Sequence, residues 1–256
     1  MRTRSSISST IESNVNVETF SSGCLSLDTA LGTGGYPKGC IVEIAGPADS
    51  GKTTLALHAI AEVQKSGGRA AFIDSEHVLT VSHAKQIGIN VNALHIALPK
   101  SMEQALETTN LLIKSGGIDL IVIDSITALL PQAEVEGAIG VVYDRLQSRM
   151  LSQGLRKCTA MNKKRHVTLL LINHRREKKH TLHGSGEGIS GGIGLKLFSS
   201  IRIEIQPIKT TQNGEHFVGT KTRLKVIKNK FAYSLQSCEV QLRYGHGICA
   251  VSDTLS

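Results

Sequence analysis

The chain has 256 residues, with 29 Lys and Arg against 21 Asp and Glu, a formal charge of +8; 40% of its residues are hydrophobic and 20% charged. That composition can build a packed core and excludes wholesale disorder, while the longest apolar runs, Leu120–Ile123 and Leu169–Ile172, reach only strand length and exclude a membrane-spanning helix. Excess base invites an acidic partner, nucleotide or nucleic acid, and is equally compatible with mere solubility; no Trp, five Phe and four Tyr leave few rings for stacking bases.

Residues 1–16 are Ser-rich, with Arg2 and Arg4 and no acid before Glu12. They resemble a targeting segment in composition but are short and poorly amphipathic, so they read as a disordered N-terminal segment. Residues 17–249 read as one α/β core and 250–256 as a tail. Leu25, Leu27, Ala30 and Leu31 suggest a short helix, which Gly32, Gly34, Gly35 and Pro37 break. Ile41–Ile44 reads as a buried strand, Lys52–Lys65 as a helix and Ala70–Ile73 as a strand. Ser101–Lys114, apolar or small at 102, 105, 106, 112 and 113, reads as a helix. Leu120–Ile123 follows as a strand, Tyr143–Lys157 as a helix and Val167–Ile172 as a strand. Such strand–helix repetition, with near-continuous apolar strands, predicts a mostly parallel sheet flanked by helices. After residue 199, Ser200–Ile205 and Thr222–Ile227 alternate in period two around turn residues at Thr211–Gly214, and Glu239–Arg243 suggests a last strand. Antiparallel strands therefore finish the domain. Cys24, Cys40, Cys158, Cys238 and Cys249 form no CxxC pair, and their odd number fits reduced thiols in a cytoplasmic setting.

The strongest chemical signal is Gly46, Pro47, Ala48, Asp49, Ser50, Gly51, Lys52 and Thr53, which fit G-x-x-x-x-G-K-[ST] between a predicted strand and a predicted helix. Loop amides, continued by Thr54 at the helix N-terminus, can wrap the phosphates of ATP. Lys52 would reach the outer phosphates and the Thr53 hydroxyl would bind Mg²⁺. Asp124 ends a buried strand, where ligands bind in open α/β sheets, and would hold the same metal directly or through water. Glu76 and Asp74 both close a second strand; either could activate the attacking water, and spacing alone leaves both open. His77 reads as packed against the sheet.

With these residues in place, the chain resembles the RecA recombinase family, especially its bacterial members, from about Val17 to Ile248. The matching stretches include Ser26–Gly32, the phosphate loop, Asp74–His77, Asp124–Ser125, Glu134–Gly137, Ser152–Gln153, Ile172–Asn173, Gly191–Gly192, Lys225–Lys230 and Tyr244–Gly245. Residues Ala56–Lys65 are similar to cyanobacterial members. The resemblance implies a RecA-like P-loop NTPase core and makes Glu76 the catalytic glutamate. It implies ATP bound between protomers of a filament on single-stranded DNA, pairing with homologous duplex DNA, and a role in recombination and repair. It also implies that Lys228 and Lys230 reach a neighbour's ATP, where a cation offsets charge on the γ-phosphate. Two loops would carry DNA. One lies around Glu136–Asp144, before a helix whose Arg149 and Arg156 share a face. The other, roughly His174–Gly192, bears Arg175 and Arg176 and offers backbone amides at Gly191 and Gly192.

Departures from the family pattern are specific. Asn173 is followed by His174 where the family has the glutamine that senses the γ-phosphate, and an imidazole is shorter and titrates near neutrality. Thr80 and His83 stand at an aspartate and a tyrosine beside the adenine, Asp144 at a DNA-inserting methionine-type position, Leu197 at an interface phenylalanine, and His183 at a second-loop aromatic. The family's N-terminal helix has no counterpart before Val17, nor its C-terminal domain after about Cys249. Two functions are therefore carried forward. One is a DNA-dependent ATPase acting as a recombinase core in a homo-oligomer. The other is a diverged nucleotide-binding paralogue that joins or modulates another recombinase's mixed filament.

Overall fold

The computed structural model describes residues 17–162, 164–174, 192–213, 216–233 and 236–249. Two short strands, β1 (Thr19–Phe20) and β2 (Tyr36–Pro37), pair as an antiparallel ribbon. The main sheet is built from β3 (Ile41–Gly46), β4 (Ala70–Asp74), β5 (His95–Ala97), β6 (Leu120–Asp124), β7 (Thr168–His174), β8 (Ile201–Asn213), β9 (His216–Asn229), β10 (Ser237–Arg243) and β11 (Gly247–Ile248). Among the described residues its order is β11-β10-β9-β8-β3-β7-β6-β4-β5. From β8 to β5 every pairing is parallel; β9, β10 and β11 add antiparallel strands at one edge. The helices are α1 (Leu25–Leu31), α2 (Lys52–Lys65), α3 (Val81–Ile87), α4 (Met102–Ser115), α5 (Gln132–Val135), α6 (Asp144–Asn162) and α7 (Gly192–Phe198).

Both faces of the sheet are covered, which is why its central strands read as unbroken apolar runs. Val42, Ile44, Phe72, Val122, Leu170 and Ile172 point into one core with α1, α2 and α3. Their neighbours in sequence, Ile41, Ile73, Ile121, Ile123, Leu169 and Leu171, point into a second core with α4, α6 and α7. This is the period-two alternation of a strand with apolar partners on each side. Burying one such side chain completely contributes about 1.5–3 kcal/mol relative to leaving it exposed.

Several boundaries differ from the sequence reading. The first terminal strand, β8, is parallel to β3, and only those after it are antiparallel. Strand β8 runs through Asn213, so Thr211–Asn213 are ladder residues and not the turn. Helix α6 continues past Lys157 to Asn162, whose side chain accepts from Val167 N at 2.9 Å and donates to Gly39 O at 3.1 Å, closing the helix onto β7. The period-based reading also lacks α3, α5, α7 and β5, each only three to seven residues long. None of the five cysteines is in a disulfide, and burial pushes the thiols of Cys40 and Cys158 up to about 12 and about 11, holding them protonated and inert. No helix among the described residues is long and apolar enough to cross a membrane.

Candidate active site

Strands β3, β4, β6 and β7 run in the same direction, so their last residues, Gly46, Asp74, Asp124 and His174, line the carboxyl end of the sheet. Gly46 stands opposite His174 and Asp74 opposite Asp124 in register. The phosphate loop leaves β3 here. Asp49 (φ 56°) and Gly51 (φ 93°) take left-handed conformations, which fold the loop tightly around its own amides. A Cβ at Gly51 would also lie 2.1 Å from Leu242 Cδ1, so that side chain would have to move. Helix α2 then begins without any side-chain cap, leaving its first amides for an anion.

Lys52 is buried and donates to Pro47 O at 2.5 Å, drawn across the loop it serves. Burial lowers the affinity of its amine for a proton, against the pull of Asp124, Glu76 and Asp49. Thr53 Oγ1 donates to Asp124 Oδ2 at 2.6 Å, bringing the two sequence-predicted metal ligands together. Burial pushes Asp124 up to about 6, aided by Glu76 and Asp74, while Thr53 and Lys52 hold it down. A buried carboxylate next to a hydroxyl, short of compensating positive charge, fits Mg²⁺, which takes one or two protein oxygens and completes its shell with phosphate and water. Among the described residues no cluster of three or more His, Cys, Asp and Glu could hold a metal by itself.

The geometry distinguishes the two acids that close β4. Asp74 is buried and spends both oxygens on backbone, accepting from Val78 N at 3.2 Å and Leu79 N at 3.1 Å. Glu76 is one-quarter exposed, and its Oε1 accepts from Ser125 Oγ and lies 3.0 Å from His174 Nε2. Ser125 follows Asp124 across a cis peptide. Asn173 is buried and donates to Glu43 Oε1 at 2.9 Å. Glu43, wholly buried on β3, is paired with Arg202 of β8. An acid inside the apolar run Ile41–Ile44 was itself a signal, because a buried charge demands a partner.

Other expectations fare differently. His77 is exposed, at φ 57°, and does not pack against the sheet; the chain has already left β4 and turned outward. It lines an open cleft with Ser75, Lys100, Leu130 and Val135. Thr80 is exposed at the start of α3, and His83 is half-buried within it. Lys228 Nζ donates to Lys196 O at 2.7 Å, capping the end of α7 within its own chain, and Lys230 is exposed. Arg149 and Arg156 both sit on the exposed face of α6. Gly192 opens α7 and packs on α6, where a Cβ would meet Ser148 Cβ at 3.1 Å. Leu197 is 63% exposed. Arg175, Arg176, His183 and Gly191 lie outside the described residues, as do the N-terminal segment and the tail; so does the side chain of Asp144.

Comparison with known proteins gives a consistent result. The family model described as the RecA N-terminal domain matches residues 3–249. The chain is 47% identical over 239 residues to Protein RecA of Desulforapulum autotrophicum, covering 93% of this chain and 69% of that one. It is 49% identical over 232 residues to Protein RecA of Halalkalibacterium halodurans, covering 91% and 66%. For Protein RecA of Clostridium novyi the figures are 49% over 234 residues, 91% and 67%. The chain thus spans about two thirds of the length of these relatives.

Proposed function

The chain belongs to the RecA family, and on that premise we propose that it is the ATPase core of a recombinase, hydrolysing ATP with Mg²⁺ on single-stranded DNA in homologous recombination and repair. The observation that carries this reading is the convergence of Lys52, Thr53, Asp124 and the Glu76–His174 pair at the carboxyl end of the sheet.

Loop amides from Gly46 to Thr54 hold the phosphates of ATP, and Lys52 places a desolvated cation against the outer ones. Thr53 and Asp124 would hold Mg²⁺, which when bound would offset charge on the phosphates. Glu76 is the general base: it takes a proton from the attacking water as the new P–O bond forms and ADP leaves. Ser125 and His174 both engage Oε1, which turns Oε2 toward that proton. Asn173 and His174 end the strand from which the second loop springs, so they can report γ-phosphate to DNA held there.

Single-stranded DNA lies along α6, its phosphates met by Arg149 and Arg156, and along the second loop with Arg175, Arg176, Gly191 and Gly192. Duplex DNA is the pairing partner. A neighbouring copy, or another recombinase in a mixed filament, receives Lys228 and Lys230 at its ATP; Lys228 then exchanges the α7 carbonyls for phosphate oxygen.

The test is the ATPase rate of the purified chain with and without single-stranded DNA. Stimulation by DNA is expected, with loss of turnover in Lys52→Ala and DNA affinity that falls steeply with salt. A protein that binds ATP yet shows no DNA-stimulated turnover would refute the proposal.

A further inference from the structure

We propose that Thr127 is a positioning residue for ATP hydrolysis, which fixes His174 against Glu76 and ties both to the DNA-facing helix α6. The proposal rests on the ATPase reading above and extends it to a residue outside the phosphate and metal set.

Thr127 lies in the turn after β6. Its one hydroxyl is used twice: it donates to Asn173 Oδ1 at 3.0 Å and accepts from His174 N at 3.0 Å. The place of these bonds matters. The β6–β7 ladder ends at the Ile123–Leu171 pair. Beyond it, Ile126 N donates to Ile172 O at 2.9 Å, and the Thr127 hydroxyl takes the next amide, that of His174. A side chain thus continues the sheet where the strand has ended, and sets the backbone from which the imidazole projects. That imidazole stands 3.0 Å from Glu76 Oε1. A small shift of the His174 backbone is carried directly into the shell of the catalytic carboxylate, where sub-ångström placement governs rate.

The same turn is held from the other side. Gln147 of α6 donates through Nε2 to Leu129 O at 2.8 Å and reaches Thr127 O at 3.5 Å. Gln147 is two residues from Arg149, on the helix whose exposed face carries both DNA-facing arginines. A displacement of α6 by bound DNA therefore bears on the 127–129 turn, on His174 and on Glu76 through three consecutive contacts. Contiguity of this kind is a physical route, and coupling along it is measurable.

The experiment compares wild type, Thr127→Val, Thr127→Ser and Gln147→Leu in steady-state ATP hydrolysis with and without single-stranded DNA. Binding of a fluorescent ATP analogue and thermal melting are followed in parallel. Thr127→Val keeps the shape and removes the hydroxyl. It should lower kcat about tenfold, the rate equivalent of about one hydrogen bond, with KM for ATP changed less than about twofold. Thr127→Ser should restore kcat to within about twofold. On a His174→Ala background, Thr127→Val should lower kcat no further, because its effect passes through the histidine. Gln147→Leu should reduce the increment that DNA adds. It also keeps the proposal testable should Thr127→Val fail to fold, since an unchanged increment there refutes the link to α6. Wild-type kcat in Thr127→Val, a serine variant as slow as the valine one, or a full valine effect on the His174→Ala background each overturns the assignment. Absence of turnover in wild type overturns the functional reading, and the role of Thr127 with it.

Discussion

His58 should make the fold acid-sensitive. It sits on α2, between the phosphate-loop lysine and the far end of the helix, and its Nε2 accepts from Ile248 N at 2.9 Å, pinning β11 to α2. Burial lowers its pKa to about 4 from 6.5, aided by Lys65 and His83 and opposed by Glu62. A protonated ring would also have no lone pair for the Ile248 amide. The sign follows. Below pH 6.5 the unfolded chain takes up a proton that the folded chain refuses, so stability present above pH 6.5 is lost as pH falls towards 4. The full loss is about 3 kcal/mol, of which about 2 kcal/mol is gone by pH 5. Wild type alone would not reveal it, because Asp124 works in the opposite direction. Its carboxyl is raised to about 6, so the folded state binds that proton more tightly and gains about 1 kcal/mol by pH 5. The assay is therefore a comparison: urea midpoints at about pH 7.5 and pH 5 for wild type and His58→Gln, whose amide accepts the same bond without titrating. The Asp124 contribution cancels, and wild type should lose about 2 kcal/mol more than the variant. Equal pH dependence in the two proteins would refute the reasoning.

Two further outcomes are expected. A Cβ at Gly219 of β9 would lie 2.1 Å from Leu242 O, backbone that cannot yield cheaply, so Gly219→Ala should cost about 1–3 kcal/mol, read as a lowered urea midpoint. His174→Gln, which restores the residue of the family pattern beside Glu76, should raise DNA stimulation of ATP hydrolysis; equal stimulation in wild type and variant would remove the histidine as the coupling element.

What the sequence made legible was local. The phosphate loop is one continuous stretch whose glycines and lysine have fixed jobs, and the buried strands announce themselves as apolar runs because both faces of the sheet are covered. Glu76 and Asp74 could not be separated by spacing, since the difference lies in which oxygens meet Val78 and Leu79 amides and which meet Ser125 and His174. Thr127 gave no signal at all: a threonine in a turn looks the same whether its hydroxyl faces water or bonds a residue 46 positions away in sequence. His77 misled for a related reason. An imidazole after an apolar strand is packed or exposed according to where the chain turns, and the turn was not encoded in the strand.

Part of the net charge of +8 divides in the same way once its cations are placed. Arg202 is consumed by Glu43 in the interior, Lys221 and Arg223 by Glu239 on the terminal strands, and Lys38 and Lys65 by Glu18 and Glu62. Those cations serve the fold. Arg149 and Arg156 are different, since both are exposed on one face of α6 and neither has an acidic partner among the described residues. Cations that the fold leaves unneutralised are the ones able to release counterions from a polyanion. They stand on the helix whose Gln147 grips the Thr127 turn, so on the proposed function DNA contact at these two cations would bear on Glu76.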